Sequence, residues 1–379
     1  MKRGEIAVKV LSKKQVALDA VSVELDFNTA ELQKKFKFKP GQFIGITQNI
    51  NGEEVHRSYS ISSDPANEKS LVISIKKIPG GLMSTFLVDE LSEGDTILAT
   101  PPSGHFYKES ENQKHHVMFA AGSGVTPMMS VLYHLMRKPK DKVSLFYWNQ
   151  SPKGTMFLKE LQKLNEENKN FNLFLAYTRS SESPSEVFCN ERVNQENLKT
   201  CFYNWNTSLD MPVFYLCGPT AFMDEISIFL GQKGYDGSQV RKESFHIEDL
   251  RELHSKDEKE DGDNQGAQTQ KSTELLIGDL SQLNEKRGGE CLAALDDEEL
   301  KAEVKADETI LEAFLRSGES PPYSCMEGTC MACQCKVVEG VVEMPLDSFL
   351  SEQEIQDKNI LSCQAFVRSK TVKVDFDDF

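Results

Sequence analysis

The sequence predicts a multidomain protein: an antiparallel β-barrel, then a parallel-sheet α/β domain, then a smaller third module. Three observations predict it. Residues 5–108 form short alternating runs punctuated by Pro and Gly, residues 115–217 alternate apolar strands with helical stretches, and a polar acidic segment separates these from a last stretch that opens on a hairpin. At 379 residues the chain is long enough for two or three cores of ordinary size.

In order, residues 5–10, 21–25, 43–46 and 71–75 read as strands of the first module. Pro40-Gly41, Pro79-Gly80-Gly81 and Pro101-Pro102 mark turns between them, a spacing that suits a sandwich or barrel over residues 1–110. From 111 to 247 the texture changes. Strands at 116–121, 143–148, 173–177 and 213–217, separated by helical stretches, imply a parallel sheet covered by helices. Residues 248–289 are polar and acidic and read as a linker, with a short helix expected over Thr273 to Leu280. Fully unstructured, such a linker has an r.m.s. span of very roughly 35 Å, enough for the last module to swing between two docking sites. The third module, 290–379, begins with a hairpin of 290–295 and 299–304 around Asp296-Asp297.

Composition excludes several function classes. No run approaches the ~20 apolar residues needed to cross a bilayer, so no membrane span is expected and the protein is read as cytoplasmic. Nine cysteines without an export signal fit a reducing compartment, where thiolates serve metals. The net charge of −16 is uneven: residues 290–379 hold 20 acids against 8 bases, whereas residues 1–246 hold 28 against 29. Nucleic acid is excluded as a partner by that balance, and an acidic third module suits a basic protein surface.

The third module carries the most specific motif. Cys325, Cys330 and Cys333 follow a C-x4-C-x2-C spacing, and Cys363 lies further on, the plant-type [2Fe–2S] order. A structural zinc site is the other reading, although zinc ribbons pair two C-x2-C knuckles and here there is one. Cys335, two residues beyond the knuckle, reads as a buried neutral thiol.

The first two modules carry weaker motifs that gain force from their order. Arg57-Ser58-Tyr59-Ser60 ends a candidate strand, offering a cation, a ring and hydroxyls on alternate faces. A solvated Arg and a core Tyr explain it equally well. Gly80-Gly81-Leu82-Met83-Ser84-Thr85 places glycines before a helix start, where free N–H groups suit a pyrophosphate. Ala121-Gly122-Ser123-Gly124-Val125-Thr126-Pro127 does the same after a strand, and Tyr215-Leu216-Cys217-Gly218-Pro219 follows the last strand.

With these motifs in this order, the chain resembles the ferredoxin–NADP reductase family over residues 5–246 and a plant-type ferredoxin over 290–379. Reductase first and ferredoxin last is similar to the electron-transfer subunits of multicomponent bacterial oxygenases. The resemblance implies an α+β β-grasp fold for the third module and FAD as the flavin of the first. It implies that Arg57 binds the flavin phosphates, Tyr59 packs on the ring and Ser60 hydrogen-bonds near its reacting nitrogen. Ser58, Gly81, Met83 and Ser84 complete the implied flavin site. Gly122, Gly124, Thr126 and Gly218 fall to the nicotinamide nucleotide, with Cys217 beside its ring. Glu243-Ser244-Phe245 matches the family's E-x-[FY] ending, which implies a catalytic role for Glu243 and makes Phe245 a cover for the ring.

Nucleotide choice rests on fewer residues. Leu145 to Gln150 follows the family's strand but has Trp148 where Gly is common and Gln150 where Arg is common. Thr178-Arg179 matches a Ser-Arg pair that holds the 2′-phosphate of NADPH, while a solvated loop cation explains Arg179 as well. The expectation is an NAD(P)H oxidoreductase, NADPH before NADH, passing electrons through FAD and the cluster to an oxygenase, desaturase or other redox protein. Two rivals stand beside it: a reductase for a haem or hybrid-cluster protein, and a non-enzymatic thiolate metal-binding module.

Overall fold

Strand alternation in the first module closes into a barrel. β1 (Ile6–Ala17), β2 (Ala20–Asp26), β3 (Phe43–Ile50), β4 (Glu53–Ser60), β5 (Ser70–Lys76) and β6 (Thr96–Ala99) form one antiparallel sheet in the order β4-β3-β6-β1-β2-β5. Its two edge strands meet through an antiparallel bridge, Ile61 to Ile73, and Ser62 N–H donates to the Val72 carbonyl at 2.8 Å. Closure leaves little edge exposed. Period-two burial explains why these residues are strands: Val8 and Val10 point inward while Ala7, Lys9 and Leu11 are exposed. Val23, Leu25, Ile44, Ile46, Ile61, Leu71 and Ile73 complete the barrel interior, each buried aliphatic side chain stabilising the fold by about 1.5–3 kcal/mol.

The structure, a computed structural model, describes residues 5–104, 106–109, 115–179, 187–205, 212–235, 239–243, 274–295, 298–319, 321–323, 328, 333–345, 350 and 352–378. The chain divides into two compact units, Arg3–Ser244 and Phe245–Phe379.

Within the first unit the barrel is followed by a parallel sheet. β7 (His115–Ala121), β8 (Lys142–Asn149), β9 (Phe171–Tyr177), β10 (Val187–Cys189), β11 (Pro212–Cys217) and β12 (Val240–Glu243) run in the order β10-β9-β8-β7-β11-β12. Strands buried on both faces read as continuous apolar runs, as β7 and β11 do. Helices Val125–Met136 and Leu158–Glu167 pack on one face, and Gln195–Trp205 and Thr220–Gln232 on the other. The β1–β2 turn and the end of β5 dock on the loop after β8: Leu18 N–H donates to Lys153 O at 3.0 Å and Lys76 Nζ to Gly154 O at 3.4 Å.

The second unit is a β-grasp. β14 (Gly289–Leu295), β15 (Glu298–Val304), β16 (Gln334–Glu339), β18 (Asn359–Leu361) and β20 (Thr371–Asp375) form a mixed sheet in the order β15-β14-β20-β16-β18, with β14 and β20 parallel. Helix Ile310–Arg316, opened by a capping box between Thr309 and Glu312, packs its apolar face on that sheet. A second sheet, β13-β17-β19, joins β13 (Glu274–Gly278) to β17 (Val341–Pro345) and β19 (Phe366–Val367).

Here the expectation of a helix at 273–280 is corrected. Glu274–Gly278 is a strand because Leu275, Leu276 and Ile277 find an antiparallel partner in β17, a long-range pairing that local sequence does not announce. Residues 274–289 of the expected linker therefore lie in folded structure, and 248–273 fall outside the described residues. Arg287 and Arg368 fix the following loop by ion pairs to Glu343, whose side chain is 2% exposed. Burial alone would raise that carboxyl, and the two guanidinium hydrogen bonds overcome it and hold it below the usual carboxylate range.

Candidate functional site

Three side chains expected to act together meet within the first unit. Cys217 and Glu243 end adjacent parallel strands and are register partners, so the sheet places them side by side. Ser60 ends β4 of the barrel, and its hydroxyl donates to Glu243 Oε1 at 2.6 Å. All three are buried. Burial pushes the Glu243 carboxyl up to about 7, against the opposing pull of the Ser60 hydroxyl. Burial, and then the charge of Glu243, raise the Cys217 thiol well above its ordinary value, so it stays neutral. A carboxyl poised near 7 can hold or release a proton at working pH.

On the barrel side, Arg57, Ser58 and Tyr59 face β3 in register with Ile46, Gly45 and Ile44. Arg57 Nη1 donates to His56 O at 2.8 Å, and Tyr59 lies half-buried against the barrel core. Gly81 caps helix Leu82–Thr85, which continues as a wider turn over Phe86–Glu90. The side chains there are committed to the fold: Met83 to the core, and Ser84 Oγ to bonds with Gly81 O and Ile78 N–H, both at 3.2 Å. Its backbone, rather than those side chains, is what this segment can offer a phosphate.

The nucleotide side is built by two loops in backbone contact. Gly122–Gly124 forms a tight turn between β7 and helix Val125–Met136, with Gly122 at φ +56. The Tyr147 hydroxyl donates to Gly122 O at 2.9 Å, anchoring the turn from β8, and Thr126 Oγ1 donates to Ser123 O at 2.9 Å. A Cβ on Gly124 would lie 2.0 Å from Cys217 O, and one on Gly218 would lie 2.9 Å from Ala121 Cβ. Glycine is required at both by close approach. At the adjacent strand ends, Arg179 N–H donates to Gln150 O at 3.0 Å and Arg179 Nη1 to Gln150 Oε1 at 3.3 Å. Thr178 N–H donates to Asn149 O at 2.9 Å. These groups cluster outside the carboxyl ends of parallel strands, where open α/β sheets bind ligands.

In the second unit, Cys333 precedes β16 and Cys363 follows β18, and these strands pair. Ser362 N–H donates to Cys333 O at 3.0 Å, and the two sulfurs lie 3.2 Å apart. Two thiolates so close fit one tetrahedral metal ion, which at metal–sulfur bonds of about 2.3 Å holds its sulfurs somewhat under 4 Å apart. Gly328, at φ +78, packs against Gln364 and Leu361. Cys325, Cys330 and Phe245 lie outside the described residues. Cys335 is fully buried, and burial, with Cys333 and Cys291 nearby, raises its thiol well above the ordinary value.

Sequence reasoning missed Tyr147 and Gln364. The signal for Tyr147 was a hydroxyl in an otherwise apolar strand, since buried tyrosines need a partner. Gln364 carried none beyond its place next to Cys363.

Comparison with known proteins gives the modules their identity. Residues 7–107 match an oxidoreductase FAD-binding domain, 118–227 an oxidoreductase NAD-binding domain, and 293–368 a 2Fe-2S iron-sulfur cluster binding domain. The chain is 30% identical to a component of the 1,2-phenylacetyl-CoA epoxidase of Escherichia coli, over 91% of this chain and 90% of that one. It is 28% identical to the ferredoxin reductase component of 3-ketosteroid-9-alpha-monooxygenase of Rhodococcus rhodochrous, over 91% and 90%. Phthalate dioxygenase reductase, described as modular for electron transfer from pyridine nucleotides to [2Fe-2S], shares the fold over 98% of both chains, with a TM-score of 0.53 and 21% identity. The zinc and non-enzymatic readings give way to an NAD(P)H oxidoreductase that uses FAD and a [2Fe–2S] cluster. The chain belongs to the ferredoxin–NADP reductase family, in the form that carries a C-terminal ferredoxin domain, and is similar to oxygenase reductase components.

Proposed function

We propose that this protein draws electrons from NADPH and delivers them to the oxygenase component of a multicomponent monooxygenase or dioxygenase. The observation that carries the reading is alignment of all three modules, in order, with an epoxidase component at 30% identity over 91% of the chain. FAD supplies the conversion of a two-electron hydride into single electrons that a [2Fe–2S] cluster can take.

The chain's own residues divide the work. Arg57, Ser58, Tyr59 and the backbone at Gly81 hold the flavin, and Ser60 presents its hydroxyl to the reacting edge. Glu243 behind it keeps or yields a proton through the 2.6 Å bond. Gly122, Gly124, Thr126 and Gly218 let the nucleotide backbone come close, and the neutral Cys217 packs beside its ring without competing as a nucleophile. Arg179, steadied by Gln150, meets the 2′-phosphate, which favours NADPH. Cys325, Cys330, Cys333 and Cys363 hold the cluster. The acidic surface of the third module steers it toward a basic acceptor, an effect that added salt weakens.

Anaerobic absorption spectra test the reading. Flavin bands and broad thiolate-to-iron absorption should both bleach with NADPH, and more slowly with NADH at equal concentration. Fast bleaching by NADH alone would overturn the donor assignment. Mixing the reduced protein with the products of neighbouring genes then identifies the acceptor. Preferential oxidation by a haem or hybrid-cluster protein, with none by an oxygenase, would overturn the acceptor.

A further inference from the structure

The residue after Cys363 folds back onto it. Gln364 N–H donates to Leu361 O at 2.8 Å, and its side-chain Nε2 donates to Cys363 O at 2.9 Å and to Cys363 Sγ at 3.8 Å. Sulfur's larger radius makes the longer contact a hydrogen bond. The amide has two N–H groups for these two acceptors, and the flipped amide would set its oxygen against a carbonyl and a sulfur, neither of which donates when Cys363 is a thiolate. The stem is held in place from the other side. A Cβ on Gly328 would lie 2.7 Å from Gln364 Cγ and 3.2 Å from its Cδ, so Gly328 at φ +78 leaves the slot that the glutamine fills. The turn beneath is fixed by Leu361 N–H on Met344 Sδ at 3.4 Å and by Ser362 N–H on Cys333 O at 3.0 Å.

We propose that Gln364 raises the reduction potential of the cluster by donating a hydrogen bond to the Cys363 thiolate. This role rests on the proposed function of Cys363 as a cluster ligand. One-electron reduction adds negative charge that spreads onto the sulfurs, and a donor aimed at one of them stabilises the reduced form more than the oxidised. Gln364 is thus a positioning and tuning residue that acts through Cys363.

The test uses the full-length protein and redox titration followed by electron paramagnetic resonance. Gln364→Leu keeps an apolar side chain in the slot and removes the donor. Iron and sulfide content should stay at the wild-type level, while the reduced-to-oxidised ratio at a fixed potential falls about threefold, the scale of a weak hydrogen bond. The iron–cysteine stretch in resonance Raman should move to higher frequency. Gln364→Glu, equal in size, without the donor and negatively charged, should lower the ratio further. A loaded Gln364→Leu protein with the wild-type midpoint overturns the proposal. If Gln364→Leu fails to load, Gln364→Glu decides on the same readout, and failure of both to load makes the residue a structural support and also overturns it. Cys363→Ser separates the two readings: a wild-type cluster signal in that variant removes Cys363 from the ligand set whatever Gln364 does.

Discussion

Ser60 Oγ donates to Glu243 Oε1 at 2.6 Å across 183 positions of sequence, joining the last residue of a barrel strand to the last residue of the parallel sheet. The bond makes the two domains of the first unit share one buried carboxyl. It also makes the state of that carboxyl depend on a hydroxyl from the other domain.

Ser60→Ala should slow flavin reduction by NADPH about a hundredfold, the lower end of what a positioned proton-transfer group contributes, with FAD content unchanged. Because the Ser60 hydroxyl lowers the Glu243 pKa, its loss should also move the apparent pKa of the rate profile upward. Stopped-flow spectra across pH read both effects.

Glu243→Gln should change how stability depends on pH. The folded carboxyl sits at about 7 against an ordinary 4.5, so between those values the folded state binds the proton more tightly than the unfolded chain. Wild-type stability therefore falls as pH rises through that window, by on the order of 3 kcal/mol for a fully buried group. The glutamine variant should match wild type near pH 4.5 and exceed it at pH 8, as read by thermal melting of the protein stripped of its nucleotide. Equal pH dependence in both proteins would sink the idea.

Arg179→Ala should raise KM for NADPH roughly ten- to a hundredfold, the scale of a lost charge-assisted contact, and leave KM for NADH nearly unchanged. Steady-state kinetics with both donors measure the split. A parallel rise for both nucleotides would return Arg179 to the role of a solvated loop cation.

Gly124→Ala sets a methyl carbon 2.0 Å from Cys217 O, against backbone that cannot step aside as a side chain could. The variant should lose about 1–3 kcal/mol of stability and bind nucleotide at least tenfold more weakly. Calorimetry with NADP+ measures the binding and thermal melting the stability.

Cys333→Ser should lose the iron, since its sulfur lies 3.2 Å from that of Cys363, a separation that suits two ligands of one iron. NADPH should still bleach the flavin, because that chemistry belongs to the other compact unit. Iron analysis and anaerobic spectra together check this, and full iron content with an unchanged cluster spectrum in the variant would remove Cys333 from the ligand set.

The motifs were legible in the sequence because each depends on local geometry. Glycine before a helix start, a strand ending in Arg57-Ser58-Tyr59-Ser60, and thiols at fixed spacing are short-range patterns that chemistry demands wherever they fold. Period-two burial in β1 and the apolar runs of β7 and β11 were legible for the same reason. The strand at Glu274–Gly278 was not, because its partner lies more than sixty residues away in β17 and the choice between helix and strand is made by that partner.

By itself the sequence determined which chemistries this protein can perform, since four thiols, a glycine turn and an acid before Ser244-Phe245 are specified by residue type. Only the tertiary structure decided which of them act as one. Ser60 reaches Glu243, Tyr147 anchors Gly122, and Gln364 turns its amide onto Cys363. The physical reason is range: hydrogen bonds act within about 3 Å, or nearer 4 Å to sulfur, while the chain separates Ser60 from Glu243 by most of two domains, and only the packing of barrel on sheet brings them to that distance.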